Sequence, residues 1–289
     1  MPTAQKKTHM SENDMAGSSK LQSTGSSPGI VVLTLNRPAV MNAIDMELFE
    51  LLYAALDELE RNDAVRVIIL TGAGERAFSA GFDIHEMAGF DADAMAASFA
   101  HRDKLFWRIA NHRKPVLAAL NGVTYGAGAL MAAAADIRIG GPTTRFKVTA
   151  STYGAANATW SLPRIVGVSK AKEILFTGRA VDANEAHAIG LLDRLVTDGD
   201  VLEAALDMAA AMAANPSEGV QAVKALINAS LGRSLEAACQ AEQAWMTARS
   251  GTLAKAGDAL FSGFLSKRND ASEQAVAADP PPCIDPRGF

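Results

Sequence analysis

Residues 114–140, KPVLAALNGVTYGAGALMAAAADIRIG, hold the stretch from which the rest of the chain can be read. Lys114-Pro115 ends whatever precedes it, and Val116 to Leu120 is a short apolar run that reads as a buried strand. Asn121-Gly122 is a turn signal, and Gly126-Ala127-Gly128 lets the backbone turn tightly. From Ala127 to Ala135 almost every side chain is Ala, Leu, Met or Gly. A helix that is apolar on all sides belongs in the interior, packed closely on its neighbours. Its first turn carries backbone N–H groups without intrahelical partners, and these can hold a negatively charged oxygen. Asp136 to Gly140 returns as a further strand. Strand, glycine turn and buried helix together can build a site, although the pattern alone names no reaction.

The chain around this stretch has 289 residues, enough for one substantial core or a core with a helical appendage. Nearly half of it is apolar, which favours a compact globule over disorder. The formal charge of -5 gives no reason to expect nucleic acid. No apolar run approaches the ~18 residues of a membrane span. The opening residues, MPTAQKKTHMSENDMAGSSK, lack the apolar segment of a signal peptide. Cys239 and Cys283 stand far apart, so no disulfide framework is expected and a cytoplasmic setting fits.

Residues 1–28 are polar, aperiodic and rich in Ser, Gly and Thr, and read as a disordered arm. Ile30 to Leu35 is the first expected strand. Asp45 is a plausible N-cap for a helix with Phe49, Leu52, Leu56 and Leu59 on one face. Val65 to Leu70 reads as a central strand, and strand, helix, strand argues for a parallel crossover unit. Residues 88–113 look helical, with Phe99, Leu105, Phe106 and Ile109 as core contacts. Thr144 to Lys147 can form a short strand, and residues 151–160 are irregular. After residue 182 nearly everything reads as helix: 183–189, 200–214, 217–230, 234–249 and 253–265. The expected organisation is a core over 29–182, a helical layer over 183–270, and a mobile tail over 271–289 containing Pro280, Pro281, Pro282 and Pro286.

Six segments in order, VVLTLNRPAVMNAI, VIILTGAGERAFSAGFDI, the quoted stretch, LPRIVG, EILFTGRAVDANEAHAIGLLDRLV and FSGFLSKR, resemble the crotonase superfamily, the enoyl-CoA hydratase/isomerase family. They span roughly residues 30–268. The resemblance implies an α/β fold, a crotonase-like ββα spiral core with a C-terminal helical trimerisation region, assembled as a homotrimer or homohexamer. It implies acyl-CoA thioesters as substrates, with no tightly bound cofactor, coenzyme A entering as part of the substrate. Two backbone N–H groups, falling on Ala80 and Ala127, would stabilise a thioester enolate. Phe82, Asp83 and Ile84 match the segment lining the nucleotide end of coenzyme A, and Phe264 and Lys267 match the last-helix residues that approach it. No metal is expected, and His101, His112 and His187 lack metal spacing.

The chain departs from hydratases where protons move. Hydration of a 2-enoyl thioester needs a water positioned by two acidic side chains. The first family glutamate falls on Leu130, the second on Ala150, and the acid of related dehalogenases and dienoyl isomerases near Ala158. None of these can move a proton. Asn157 and Tyr153, in the short loop above the pocket, are the polar candidates to replace them. His85 and Glu86 are expected to face outward, Tyr125 to form an aromatic wall, and Asp136 to be structural. Alternatives to an enoyl-CoA hydratase or isomerase are an acyl-CoA thioester hydrolase or decarboxylase, and a non-catalytic CoA-binding protein.

Overall fold

The computed structural model describes residues 20–252, 254–255 and 257, in two compact units that meet between Asn228 and Ala229. In the first unit the strands form two sheets. The larger has the order β1 (Leu21–Ser27), β2 (Ile30–Leu35), β3 (Val67–Gly72), β5 (Val116–Leu120), β7 (Ile137–Gly140) and β10 (Arg194–Leu195). The smaller has the order β4 (Ala77–Ser79), β6 (Val123–Tyr125), β8 (Arg145–Lys147) and β9 (Val181–Asp182). In each turn of the chain a strand of the large sheet is followed within a few residues by a strand of the small one: β3 by β4, β5 by β6, β7 by β8. All neighbours from β2 onward in the large sheet run parallel, as do β4, β6 and β8. The result is a spiral of repeated ββα turns.

Parallel strands covered on both faces read as continuous apolar runs, and the burial bears this out. Val31, Leu33, Ile68, Leu70, Val116 and Ala118 face one core, which also takes Phe49, Leu52 and Leu56 of α1 (Met46–Arg61). Ile30, Val32, Val67, Ile69, Leu117 and Ala119 face the other, beneath Ala204, Ala205, Ala209 and Ala213 of α8 (Val201–Ala213). Small side chains let this helix lie close on the sheet. The first unit therefore continues past residue 182, the expected end of the core, to Asn228. Asp45 caps α1 as expected, accepting from the Leu48 N–H at 2.9 Å.

The remaining helices are α2 (Ile84–Met87), α3 (Ala92–Asn111), α4 (Ala127–Ala134), α5 (Leu162–Val166), α6 (Val168–Thr177), α7 (Ala183–Ala188), α9 (Ser217–Ser230) and α10 (Leu235–Ala248). All eight residues of α4 are buried, as its composition requires. The arm expected to be disordered through residue 28 is instead a strand from Leu21. Its register on β2 pairs Leu21 with Leu35 and Thr24 with Val32. The polar sequence LQSTGSS gives no strand signal because only Leu21 of it is buried; backbone pairing at a sheet edge makes the strand. Phe99, expected in the core, is exposed. In the second unit α10 is capped by Ser234 and buries none of its residues. Phe264, Lys267, most of the expected 253–265 helix and the Pro-rich tail lie outside the described residues, as do residues 1–19 of the arm.

Candidate active site

The two glycine turns singled out in the sequence pack against each other. Gly81 has φ +105°, and a Cβ there would lie 3.0 Å from the Tyr125 carbonyl oxygen and 3.1 Å from the Ala127 nitrogen. Only glycine meets both demands, the left-handed backbone and the close approach. Gly128 sits one position into α4 against β4, where a Cβ would stand 2.5 Å from the Ser79 carbonyl oxygen. The N-terminus of α4 is thereby pressed onto the end of β4.

The loop after β2 holds β4 in place. Asn42 is fully buried, and its amide donates to the carbonyls of Ala73 and Ala77 at 3.0 and 2.7 Å. The Ser79 hydroxyl donates to the Asn42 carbonyl at 2.8 Å and accepts from the Gly81 N–H at 3.1 Å. The Ala80 N–H donates to the Met41 carbonyl at 2.9 Å. This corrects the expectation for Ala80: its amide is committed to the scaffold. Beyond Gly81 the chain reverses its exposure. The Gly81 carbonyl accepts from Ile44 and the Asp83 N–H donates to the Ile44 carbonyl, which turns the Phe82 N–H between them the other way. Neither Phe82 N–H nor Ala127 N–H has a partner among the described residues, whereas the Leu130 N–H already closes the first helical bond to Gly126. Phe82 was expected only as a coenzyme-lining residue. The shift of two positions was not legible because the left-handed Gly81 decides which amide faces outward.

Asp83 and Glu86 are structural. Asp83 caps α2 through the His85 N–H and pairs with Arg37 at 3.1 Å. Burial raises its pKa, but the Arg37 hydrogen bond and the backbone donors outweigh this and hold the carboxyl below its ordinary value. Glu86 accepts from the Met46 N–H at the start of α1. Asp136 accepts from the Val116 N–H and from Lys224, each at 2.7 Å, in keeping with a structural role.

Phe82 and Ala127 open on a cavity of about 630 Å³. Its walls include Ala80, Ile84, Met87, Leu130, Val148, Ala150, Tyr153 and Asn157. Leu130 and Ala150 thus do face it, and both are apolar. Tyr153 is exposed at its edge. Asn157 also borders two adjoining cavities, of about 510 and 260 Å³. Tyr125 does not line the cavity, and Ala158 lines only the smallest of the three. Among the described residues no cluster of three or more His, Cys, Asp or Glu gathers to hold a metal.

One wall was not anticipated. Phe99, Arg102, Asp103 and Phe106 all line the cavity from α3. They are spaced i, i+3, i+4, i+7, one face of a helix. The signal was present as two adjacent charges inside an apolar stripe. Asp103 has no hydrogen-bond or ion-pair partner among the described residues and is the carboxylate on the cavity wall. Arg102 is 1% exposed. Burial lowers its pKa, and the Glu86 charge opposes that shift.

The sequence profile of the enoyl-CoA hydratase/isomerase family matches residues 25–269. The chain belongs to this family, within the crotonase superfamily. It is 32% identical over 251 residues to the 1,2-epoxyphenylacetyl-CoA isomerase of Escherichia coli, covering 83% of this chain and 94% of that one. It is 33% identical over 202 residues to the short-chain-enoyl-CoA hydratase of Clostridium acetobutylicum, covering 69% and 77%. The crystal structure of the Bacillus anthracis enoyl-CoA hydratase superposes with a TM-score of 0.75 at 31% identity, covering 78% of this chain and 88% of that one. The two-sheet spiral is therefore the crotonase fold, as the sequence segments implied.

Proposed function

We propose that this crotonase-family protein is an acyl-CoA enzyme that forms a thioester enolate and relocates a proton, an isomerase-type reaction rather than a hydration. The carrying observation is the pair of unpartnered amides, Phe82 and Ala127, brought to one cavity by the packed glycine turns. Such fixed donors match the charge that develops on a thioester oxygen when C2 loses a proton. Asp103 serves as the base and then as the acid. A single carboxylate can take a proton from one carbon and return it to another, whereas hydration calls on a second acidic group to activate water. Leu130 and Ala150 supply none. Asn157, at the far wall, orients the substrate, and Tyr153 borders the entrance. Phe82 and Ile84 line the cavity, and the sequence resemblance assigns the Phe82–Ile84 backbone, with Phe264 and Lys267, to the coenzyme end. Coenzyme A comes and goes with the substrate, and no other cofactor is required.

The test is exchange of the C2 proton of a saturated acyl-CoA in deuterated water, run beside interconversion of 3-enoyl-CoA and 2-enoyl-CoA. Exchange and interconversion with crotonyl-CoA hydration near 10⁻⁴ of a normal hydratase, roughly the loss of two acid–base groups, supports the reading. Efficient hydration overturns it. Release of coenzyme A or of carbon dioxide from other thioesters would move the protein to the hydrolase or decarboxylase class, and binding without turnover to the non-catalytic one.

The assembly proposed is a homotrimer or homohexamer. Val223 and Ile227 of α9 in the first unit are exposed, as are Leu235 and Met246 of α10 in the second, more apolar surface than each solvated helix needs. Sedimentation at the mass of one chain, 30.3 kDa, would refute it.

A further inference from the structure

Arg102 is the largest side chain among those wholly buried, and its guanidinium has no ion-pair partner among the described residues, the Glu86 charge acting on it only at a distance. Its Nε and Nη1 have no partner among the described residues, while Nη2 meets only the Met46 sulfur at 3.8 Å. The Phe82 ring lies against one face of it, 3.9 Å from ring centroid to Cζ. Phe90 is more distant, at 5.9 Å. Aromatic stacking addresses the face of a guanidinium, whereas its N–H donors lie in the plane, in a fork that matches a carboxylate. A face occupied and an edge unpaired is half of a binding arrangement.

The nearby acids do not complete it. Glu86 is committed to the start of α1 through Met46, and no ion pair joins it to Arg102. Asp103, next in sequence, borders the Leu130 and Asn157 end of the cavity and also makes no pair with Arg102. A buried cation with so few partners is costly to a fold, and a ligand carboxylate would offset that cost. Arg102 lines the same cavity as the Phe82 and Ala127 amides, so whatever fills that cavity is placed to meet it.

We propose that Arg102 recognises a carboxylate carried by the acyl group, so that the substrates are CoA thioesters of dicarboxylic acids. This rests on the reading of the cavity as the acyl site. Engagement turns the unpaired edge of the guanidinium toward the carboxylate while Phe82 keeps its face.

The experiment compares binding of glutaryl-CoA, pentanoyl-CoA and free coenzyme A to the full-length protein by calorimetry, in the unmodified chain and in Arg102→Met. The expected result is that the unmodified chain prefers glutaryl-CoA to pentanoyl-CoA by roughly ten- to a hundred-fold, as charged hydrogen bonds provide. Arg102→Met should erase that preference, read as the ratio of the two thioester affinities, whatever change the three ligands share. Equal binding of the two thioesters by the unmodified chain overturns the proposal with no variant needed, while leaving the acyl-CoA site standing. A loss in Arg102→Met that is the same for all three ligands assigns Arg102 to a coenzyme phosphate and overturns it too. Failure of every thioester to bind removes the acyl-CoA reading itself. Should Arg102→Met not fold, Arg102→Lys retains the charge without the planar fork, and the preference should shrink there; a preference kept in full overturns the proposal.

Discussion

Replacing Ala127 by proline tests the enolate site with little injury to the fold. Ala127 is the first residue of α4, and its N–H has no partner among the described residues. Proline is well accommodated at the first helical position, where the missing donor was unpaired in any case. The bond that closes the first turn, from the Leu130 N–H to the Gly126 carbonyl at 3.0 Å, is untouched. The proline ring carbon replaces the amide hydrogen, so one donor is lost and the space before it is filled. Loss of one such donor costs about 3 kcal/mol, or about 10² to 10³ in kcat. The readout is C2 deuterium exchange of an acyl-CoA by mass spectrometry, which reports enolate formation whatever the later chemistry. Thermal unfolding runs alongside, because Gly81 packs close to this nitrogen. A folded Ala127→Pro protein that exchanges within about threefold of the unmodified rate would refute the assignment, since threefold is far below what a lost oxyanion donor costs.

Asp103→Asn should lower C2 exchange by about 10² to 10⁴ through kcat, with KM little changed; an unaltered rate would discharge Asp103 from proton transfer. Gly128→Ala places a methyl 2.5 Å from the Ser79 carbonyl oxygen, and should destabilise the protein by about 1–3 kcal/mol in a denaturant titration while weakening exchange. Asp83 and Asp45, both paired with Arg37, have carboxyl pKa values below the ordinary range, burial opposing the shift and the hydrogen bonds and charges prevailing. Their stabilisation is present above the unfolded value near pH 4 and is lost as pH falls through the lower folded value, so Asp83→Asn should flatten the acid limb of a melting-temperature profile. An acid limb identical in the variant would argue against the Asp83 share.

The elements that could be read from sequence were those whose local pattern and tertiary environment agree. Ile30–Leu35 and Val116–Leu120 lie in the sheet covered on both faces, so all their residues but Thr34 are apolar and the run marks its own ends. The helix begun by Asp45 declares itself through cap and stripe together. The small sheet is different. Ala77–Ser79 and Val123–Tyr125 are three residues each, too short for any period, and exist because each follows a strand of the large sheet around the same corner; of this sheet only Arg145–Lys147 was expected, over Thr144–Lys147. Leu21–Ser27 is a strand through its partner alone. At the site, the sequence identified both glycine turns and the Ala127 amide, but not that the first turn leaves the Phe82 amide free rather than that of Ala80. That depends on the hydrogen bonds of Met41 and Ile44, some forty residues distant in the chain.

Arg102 and Asp103 show the converse, where the reading failed because two levels disagree. Their positions on α3 belong to its apolar stripe with Phe99 and Phe106, and a stripe read for burial passes over them as interruptions. Arg102 is buried there and Asp103 is exposed, so it is the Arg102 charge that costs stability, and a fold under selection for stability alone would replace it. Local conflict of this kind is expected where a site is built. Leu130 on α4 and Asp103 on α3 line the same cavity, so on the proposed reading the acid–base group stands on a different helix from the one where the resemblance places a glutamate. The amides are set by the spiral itself, through glycine contacts that tolerate no extra atom. The carboxylate needs only to project into the cavity, and any wall can supply it. The donor pair is thereby tied to the backbone of this fold, whereas on the proposed reading the proton-transferring group, and with it the reaction, can be supplied by different side chains.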